Sequence, residues 1–273
     1  MSNGVVLRMN ASNLATGDLA AFRDAYAQMM AISDNRGWIF FSGIHGQPQE
    51  KCWHHYRVGS SSQTEPVNLF LPWHRAYLLL LENNFRDLNG AAALPWWDWT
   101  SDLAHQEGIP AAFTVPTDPS GNPNPLLQGP TIASPSGSPT TSRNPDDPGN
   151  LPTVDQVASV LGLSSYTDFS DQLEDVHDAL HGWVGGDMGI IASAAYDPIF
   201  YTHHCMIDRL WYIWQLQNGV NNIPASYLDL PLAPFPLKVQ DVLNIQSLGY
   251  EYANAAVALN PNAAAAANVG VNT

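Results

Sequence analysis

His177 and His181 stand four positions apart in a stretch, Asp168 to Val184, that reads as a helix, so their imidazoles leave one face about a turn apart. That is a spacing for two ligands to one metal ion. Further on, Asp197-Pro198 predicts the start of a second helix, with Asp as cap and Pro at its first position, and His203, His204 and Asp208 follow within it. One turn separates His204 from Asp208, which puts this carboxylate on the face of that imidazole. Three imidazoles from two helices, with carboxylates beside them, can hold one metal ion inside a helix bundle.

An isolated pair of this spacing also occurs on surface helices and among satisfied core histidines, so the weight comes from a second set. Pro72-Trp73-His74-Arg75 opens another apolar helix, and His45 and His54 lie upstream of it. The chain has nine histidines, and six of them fall into these two sets of three. Six imidazoles with no required carboxylate or thiolate suit copper better than magnesium or calcium, and the usual order of affinities favours copper over zinc. Ligand number alone leaves a pair of zinc ions open.

The segments FLPWHRAYLLLLE (Phe70 to Glu82), LPWWDW (Leu94 to Trp99), HDALHGWVGG (His177 to Gly186) and DPIFYTHHCMIDRLW (Asp197 to Trp211) resemble the two copper-binding halves of the type 3 copper family. That family includes tyrosinases, catechol oxidases and molluscan haemocyanins, and the resemblance runs roughly from Leu19 to Tyr252. It implies two copper ions as cofactor, O2 as co-substrate and a small phenol as substrate. The Asp-Pro-x-Phe-Tyr-x-x-His-x-x-x-Asp pattern ending at Asp208 implies that His204, not His203, is the third ligand of the second copper, leaving His203 and Asp208 beside it. For the first copper the resemblance implies His45, His54 and His74. Cys52-Trp53-His54-His55 offers two adjacent imidazoles; some family members carry a Cys-x-His thioether, and Cys52 with His54 matches it, so His54 is expected and His55 is the alternative. The polar, serine-rich Tyr56 to Pro66 makes the gap to His74 longer than the family usually has and is expected to form a loop beside the site. Glu82, two turns after His74 among leucines, is expected either as a buried acceptor for an imidazole N–H or as an exposed residue at the edge of the apolar stripe.

A phenol has a reference pKa of about 10, so only about a thousandth is phenolate at neutral pH, and a base is needed. Glu174 precedes His177 by three residues and Asp178 follows it. The resemblance implies that carboxylates near these positions hold a water that takes the phenol proton; the other reading is a solvated acidic patch with Asp171 and Asp175. In plant catechol oxidases a phenylalanine overhangs the second copper, and Ile191 takes its place here. A smaller gate favours ortho-hydroxylation of monophenols as well as oxidation of o-diphenols to o-quinones. Catechol oxidase or o-aminophenol oxidase activity, an oxygen carrier and a dizinc hydrolase are the competing expectations; the absence of repeats counts against the carrier and that of an HExxH motif against the hydrolase.

These residues must be positioned by a mainly α fold, a core helix bundle with long irregular loops. One domain over 1–273 is expected, with a first copper half at about 19–100, a Pro/Gly/Ser-rich connection at about 110–153, a second half at about 166–217 and a packing segment and tail over 218–273. Leu19, Phe22, Tyr26, Met29 and Met30 predict a core-facing helix over Asp18 to Ile32, and Val154 to Leu163 a short one. Met1 to Thr16 shows no clear pattern and is expected along the surface. Hydrophobic residues make up 45%, enough for a substantial core, and 10 basic against 25 acidic residues leave −15, which argues against nucleic acid and anionic membranes as partners. The first thirty residues lack a signal-peptide layout, so the chain is expected to be cytoplasmic or exported with a partner, and a copper-delivery partner fits the same picture. The cysteines, Cys52 and Cys205, leave one bridge open and no disulfide framework.

Overall fold

The computed structural model describes residues 4–46, 54–60 and 63–255. In chain order they form β1 (Val6–Arg8), α1 (Thr16–Ala31), α2 (Trp38–Gly43), β2 (His55–Ser60), β3 (Gln63–Asn68), α3 (Phe70–Leu88), α4 (Asp102–Glu107), α5 (Val154–Leu161), α6 (Tyr166–Val184), α7 (Ile191–Ala194), α8 (Ile199–Asn218), α9 (Ile245–Leu248) and β4 (Tyr250–Tyr252). The architecture is mainly helical, and α3, α6 and α8 are the frame of the site.

Helix α8 is buried at every residue from Ile199 to Trp211, which its apolar composition on all sides requires, and so it runs through the centre of the bundle. Helix α6 buries one stripe, Phe169, Leu173, His177 and Leu180, and turns Asp168, Asp171, Asp175 and Asp178 outward. Ser165 caps it by accepting from the Asp168 N–H, and Gly185 ends it at a φ of 62°. At the start of α8, Asp197 accepts from the Ile199 N–H as a cap should, with Pro198 already in helical conformation.

The segment 110–153 is a long connection with short 3-10 turns, fastened by buried polar hubs. Arg143 donates from Nε to Asp197 Oδ2 at 2.9 Å and from Nη2 to Oδ1 at 2.6 Å, and its Nη1 and Nη2 donate to the carbonyls of Phe113 and Leu126. Asp197 is fully buried. Arg143→Ala would leave that carboxylate without its cation, at a cost of about 3–5 kcal/mol, so its urea midpoint should fall well below the parent's; an unchanged midpoint would contradict the assigned role.

Three expectations are corrected. Met1 to Thr16 does not simply lie along the surface: β1 pairs in parallel with β4, in the register Val6 to Tyr250, Leu7 to Glu251 and Arg8 to Tyr252, and Arg8 is fully buried. Pairing with a strand at the far end of the chain leaves no local pattern to read. The Tyr56 to Pro66 insertion is not a loop but most of a hairpin, β2 against β3, from His55 opposite Asn68 to Ser60 opposite Gln63. HYRVGS and QTEPVN lack the apolar alternation by which a strand is recognised. Of the two readings of Glu82 the exposed one is overturned, and the buried one has a different partner from the imidazole it named: Glu82 accepts from Arg8 Nη2 at 3.0 Å and from the Leu94 N–H at 2.9 Å.

Asp208 is corrected in the same way. It lies a turn beyond His204 yet touches no imidazole, because Arg75 Nε (2.5 Å), Arg8 Nη1 (3.2 Å) and the hydroxyls of Tyr250 (2.7 Å) and Tyr252 (2.6 Å) occupy its oxygens. The two buried carboxylates and two buried guanidiniums tie α3, α8, β1 and β4 together. Of the apolar residues that predict α1, Phe22, Tyr26 and Met29 are buried and Leu19 and Met30 half-buried; Trp96, Trp97 and Trp99 are buried and Asp98 half-buried.

Candidate metal centre

His74 on α3, His177 and His181 on α6, and His204 on α8 meet where the three helices approach. The Nε2 atoms of His177 and His204 are 3.1 Å apart and those of His181 and His204 3.4 Å. The His74 and His204 rings stack at 4.2 Å between centroids. His45, just beyond α2, has its ring 5.7 Å from that of His74, and His54 has its ring 5.1 Å from it. The structure thus brings all six expected histidines to one place from both halves of the chain.

The outer nitrogens show which form these rings take. His45 Nδ1 faces the Ile191 carbonyl at 3.3 Å, His74 Nδ1 that of Phe70 at 2.9 Å and His181 Nδ1 that of Met188 at 2.7 Å. A carbonyl oxygen only accepts, so each Nδ1 carries the proton and each Nε2 presents a lone pair inward. His177 Nδ1 lies 2.9 Å from Asp178 Oδ1, and His74 Nε2 is buried without a hydrogen-bond partner. Burial lowers the pKa of His74, His177, His181 and His204, and pushes His45 down to about 3. Neutral imidazoles with inward lone pairs are the ligand form, and such a donor set fits copper.

Among the described residues, two groups of potential ligands have donor atoms within 4.8 Å of one another: His177, His181, His203 and His204; and His54, His55 and Glu174. His203 is therefore nearer the metal-binding atoms than its place beside the ligand implied. It is fully buried, stacks on His177 at 5.1 Å, and neither of its nitrogens has a hydrogen-bond partner. The first triad is less closed, because His54 Nε2 lies 3.1 Å from Glu174 Oε1 and His55 Nε2 3.1 Å from Oε2. Cys52, expected to bond to His54, lies outside the described residues, and Cys205 is a buried free thiol.

A cavity of about 480 Å³ opens onto the site, lined among others by His45, His54, Trp73, Glu174, His181 and Ile191. Ile191 is 54% exposed at its mouth. Glu174 and Asp178 both face the cavity, and their surroundings drive them apart. Burial works to raise the Glu174 carboxyl, but hydrogen bonds from His54 and His55 hold it well below the usual range. Burial and the charge of Glu174 raise Asp178. A second cavity of about 750 Å³ adjoins the first and shares His55, Glu174 and Asp178 with it.

Sequence reasoning missed Asn68, whose Nδ2 donates to Glu174 Oε2 at 2.7 Å and to Asp171 Oδ1 at 2.9 Å. It also missed Arg8, and the Ile191 and Met188 carbonyls that orient two of the rings. Asn68 sits at the end of an unrecognised strand, and a carbonyl acceptor carries no sequence signal at all.

A profile of the common central domain of tyrosinase matches residues 35–217. Units G and H of haemocyanin from Sepia officinalis are 29% identical over 251 residues, which cover 84% of this chain and 42% of that protein. The chain thus spans less than half the length of that relative. Tyrosinase from Streptomyces glaucescens is 31% identical over 182 residues, 58% of this chain and 66% of that one. A functional unit of octopus haemocyanin superposes with a TM-score of 0.73 at 26% identity, over 92% of this chain and 68% of that chain.

Proposed function

From the premise that this chain belongs to the tyrosinase family of type 3 copper proteins, we propose that it uses O2 to ortho-hydroxylate monophenols and to oxidise o-diphenols to o-quinones. Two copper ions, held by His45, His54 and His74 and by His177, His181 and His204, would supply O2 binding and the electron transfer. The observation that carries the enzymatic reading is the open cavity with two carboxylates beside the histidines, since a carrier of O2 alone needs neither.

The protein's own part is to admit a ring, exclude most of the water and remove a proton. A cavity of about 480 Å³ is of the size that holds a small aromatic molecule. Trp73 and Ile191 supply apolar walls for it, and the aliphatic Ile191 leaves more room at the mouth than a phenyl group would. Glu174, held by Asn68, and Asp178, held by His177, are placed to orient a water that takes the phenol proton, with Asp178 the more basic of the two. Glu174→Gln is expected to lower monophenol turnover by about 10²-fold at unchanged copper content, because a neutral amide neither polarises the water that takes the proton nor stabilises the positive charge it gains. Equal turnover in the variant would remove Glu174 from the proton path.

Oxygen carriage is the second reading, favoured by the haemocyanin relatives. Quinone formation from a monophenol, an o-diphenol and an o-aminophenol, followed in parallel on copper-loaded protein, separates the readings. Turnover of the monophenol and the diphenol is expected. Turnover of the diphenol or the aminophenol alone would refute the hydroxylation, and reversible O2 uptake with no turnover would favour the carrier.

A further inference from the structure

We infer that His54, His55 and Glu174 form a capture site for divalent copper at the mouth of the cavity, from which the first histidine triad is loaded; this rests on the copper-binding reading above. Their donor atoms lie within 4.8 Å of one another, with edges of 3.1 Å from His54 Nε2 to Glu174 Oε1 and from His55 Nε2 to Glu174 Oε2. Two bonds of about 2.0 Å to one ion, at angles between square and tetrahedral, leave their donor atoms roughly 2.8–3.3 Å apart. The two contacts, now hydrogen bonds to the two carboxylate oxygens, fall in that range, so an ion can replace the protons between them with little movement. Two imidazoles and a carboxylate bind divalent copper more tightly than zinc.

Access runs in the right order. The His55 side chain is 49% exposed, against 11% for His54 and 15% for Glu174, so an ion from solvent meets His55 first. Asn68 steadies the carboxylate, and the net charge of −15 concentrates cations near the surface.

His54 Nε2 is the donor common to the outer and inner sets, and one nitrogen cannot hold two ions. The two sets are therefore alternatives, occupied in turn. The His54 ring is 4.5 Å from that of His55 and 5.1 Å from that of His74, whose Nε2 is buried without a hydrogen-bond partner. On capture the Nε2 proton of each neutral ring passes through water to its own Nδ1, which leaves the Nε2 lone pair for the ion. Transfer then breaks the bonds to His55 and Glu174, keeps that to His54, and forms bonds to His74 and His45. No electron moves. Glu174 is left free to face the cavity.

The test is the rate of loading, which is independent of turnover. Copper-depleted full-length protein is mixed with glycine-buffered Cu(II), and copper retained after gel filtration is followed with time alongside rapid-freeze electron paramagnetic resonance. His55→Ala should reach two coppers per chain about tenfold more slowly than the parent, the scale on which one supporting ligand matters, and should lose the early mononuclear signal. His55→Asp, which restores an oxygen donor, should recover most of the rate. Loading of His55→Ala as fast as the parent would overturn the inference. So would a plateau below two, which would put His55 in the final set. A parent that never retains a copper pair would instead sink the functional reading on which the inference rests.

Discussion

Replacing His204 by alanine is expected to halve the copper retained after reconstitution, from two ions per chain to one, and to lower phenol oxidation by more than about 10³-fold, the scale on which one member of a unit acting together is lost. His204 is where the two halves of the site touch. Its Nε2 is 3.1 Å from that of His177 and 3.4 Å from that of His181, and its ring stacks on His74 at 4.2 Å and against Phe200 at 4.0 Å. The helix that carries it is buried along its length around the site. His203→Ala should retain both coppers and weaken turnover only partly: its ring packs on His177, so its loss opens a cavity behind a ligand. The opposite outcome, with copper lost on replacing His203 and kept on replacing His204, would shift the register by one residue and move the third ligand.

The second large effect is on stability. Asp208→Asn would leave the guanidiniums of Arg8 and Arg75, both fully buried, without the anion they share. Breaking a buried ion network from one side costs about 3–5 kcal/mol. At about 2–4 °C per kcal/mol for a chain of this size, Tm should drop by roughly 10 °C, read by differential scanning calorimetry. Glu82 keeps Arg8, so the fold persists at low temperature. A Tm within a degree or two of the parent's would mean that the network contributes no net stability.

The same residue gives a pH dependence with a definite sign. Burial works to raise the Asp208 carboxyl, but Arg75, Arg8 and the Tyr252 hydroxyl hold it below its ordinary value. A carboxylate whose folded pKa lies below its unfolded value of about 4 contributes stability that is complete above that value and is lost as the pH falls through the lower, folded one. The Asp208→Asn protein should therefore differ most from the parent at neutral pH and converge on it in acid.

The helices and the histidines they bring together were legible because each has a local signature. The four-residue step from His177 to His181, the Asp-Pro start of α8 and the apolar run after His74 are short-range patterns, and the structure realises all three within a residue or two. Contacts between distant parts of the chain left no such trace. Arg8 reads as one cation in a patternless terminus, yet it lies against Glu82 and Asp208, 74 and 200 residues away. Glu82, read as an acceptor for an imidazole or as an exposed residue, and Asp208, read on the face of His204, are taken by arginines for the same reason: helical spacing shows which face a carboxylate shares, not which cation reaches it first. The hairpin of β2 and β3 was hidden by its polar composition, and with it the position of Asn68 beside Glu174.

All of this depends on two histidine triads holding a pair of copper ions in one site. Copper analysis of the reconstituted protein, after removal of loosely bound metal, tests that directly. Two copper ions per chain are expected in the parent; a plateau at a single ion would leave the six histidines without a shared pair of metals.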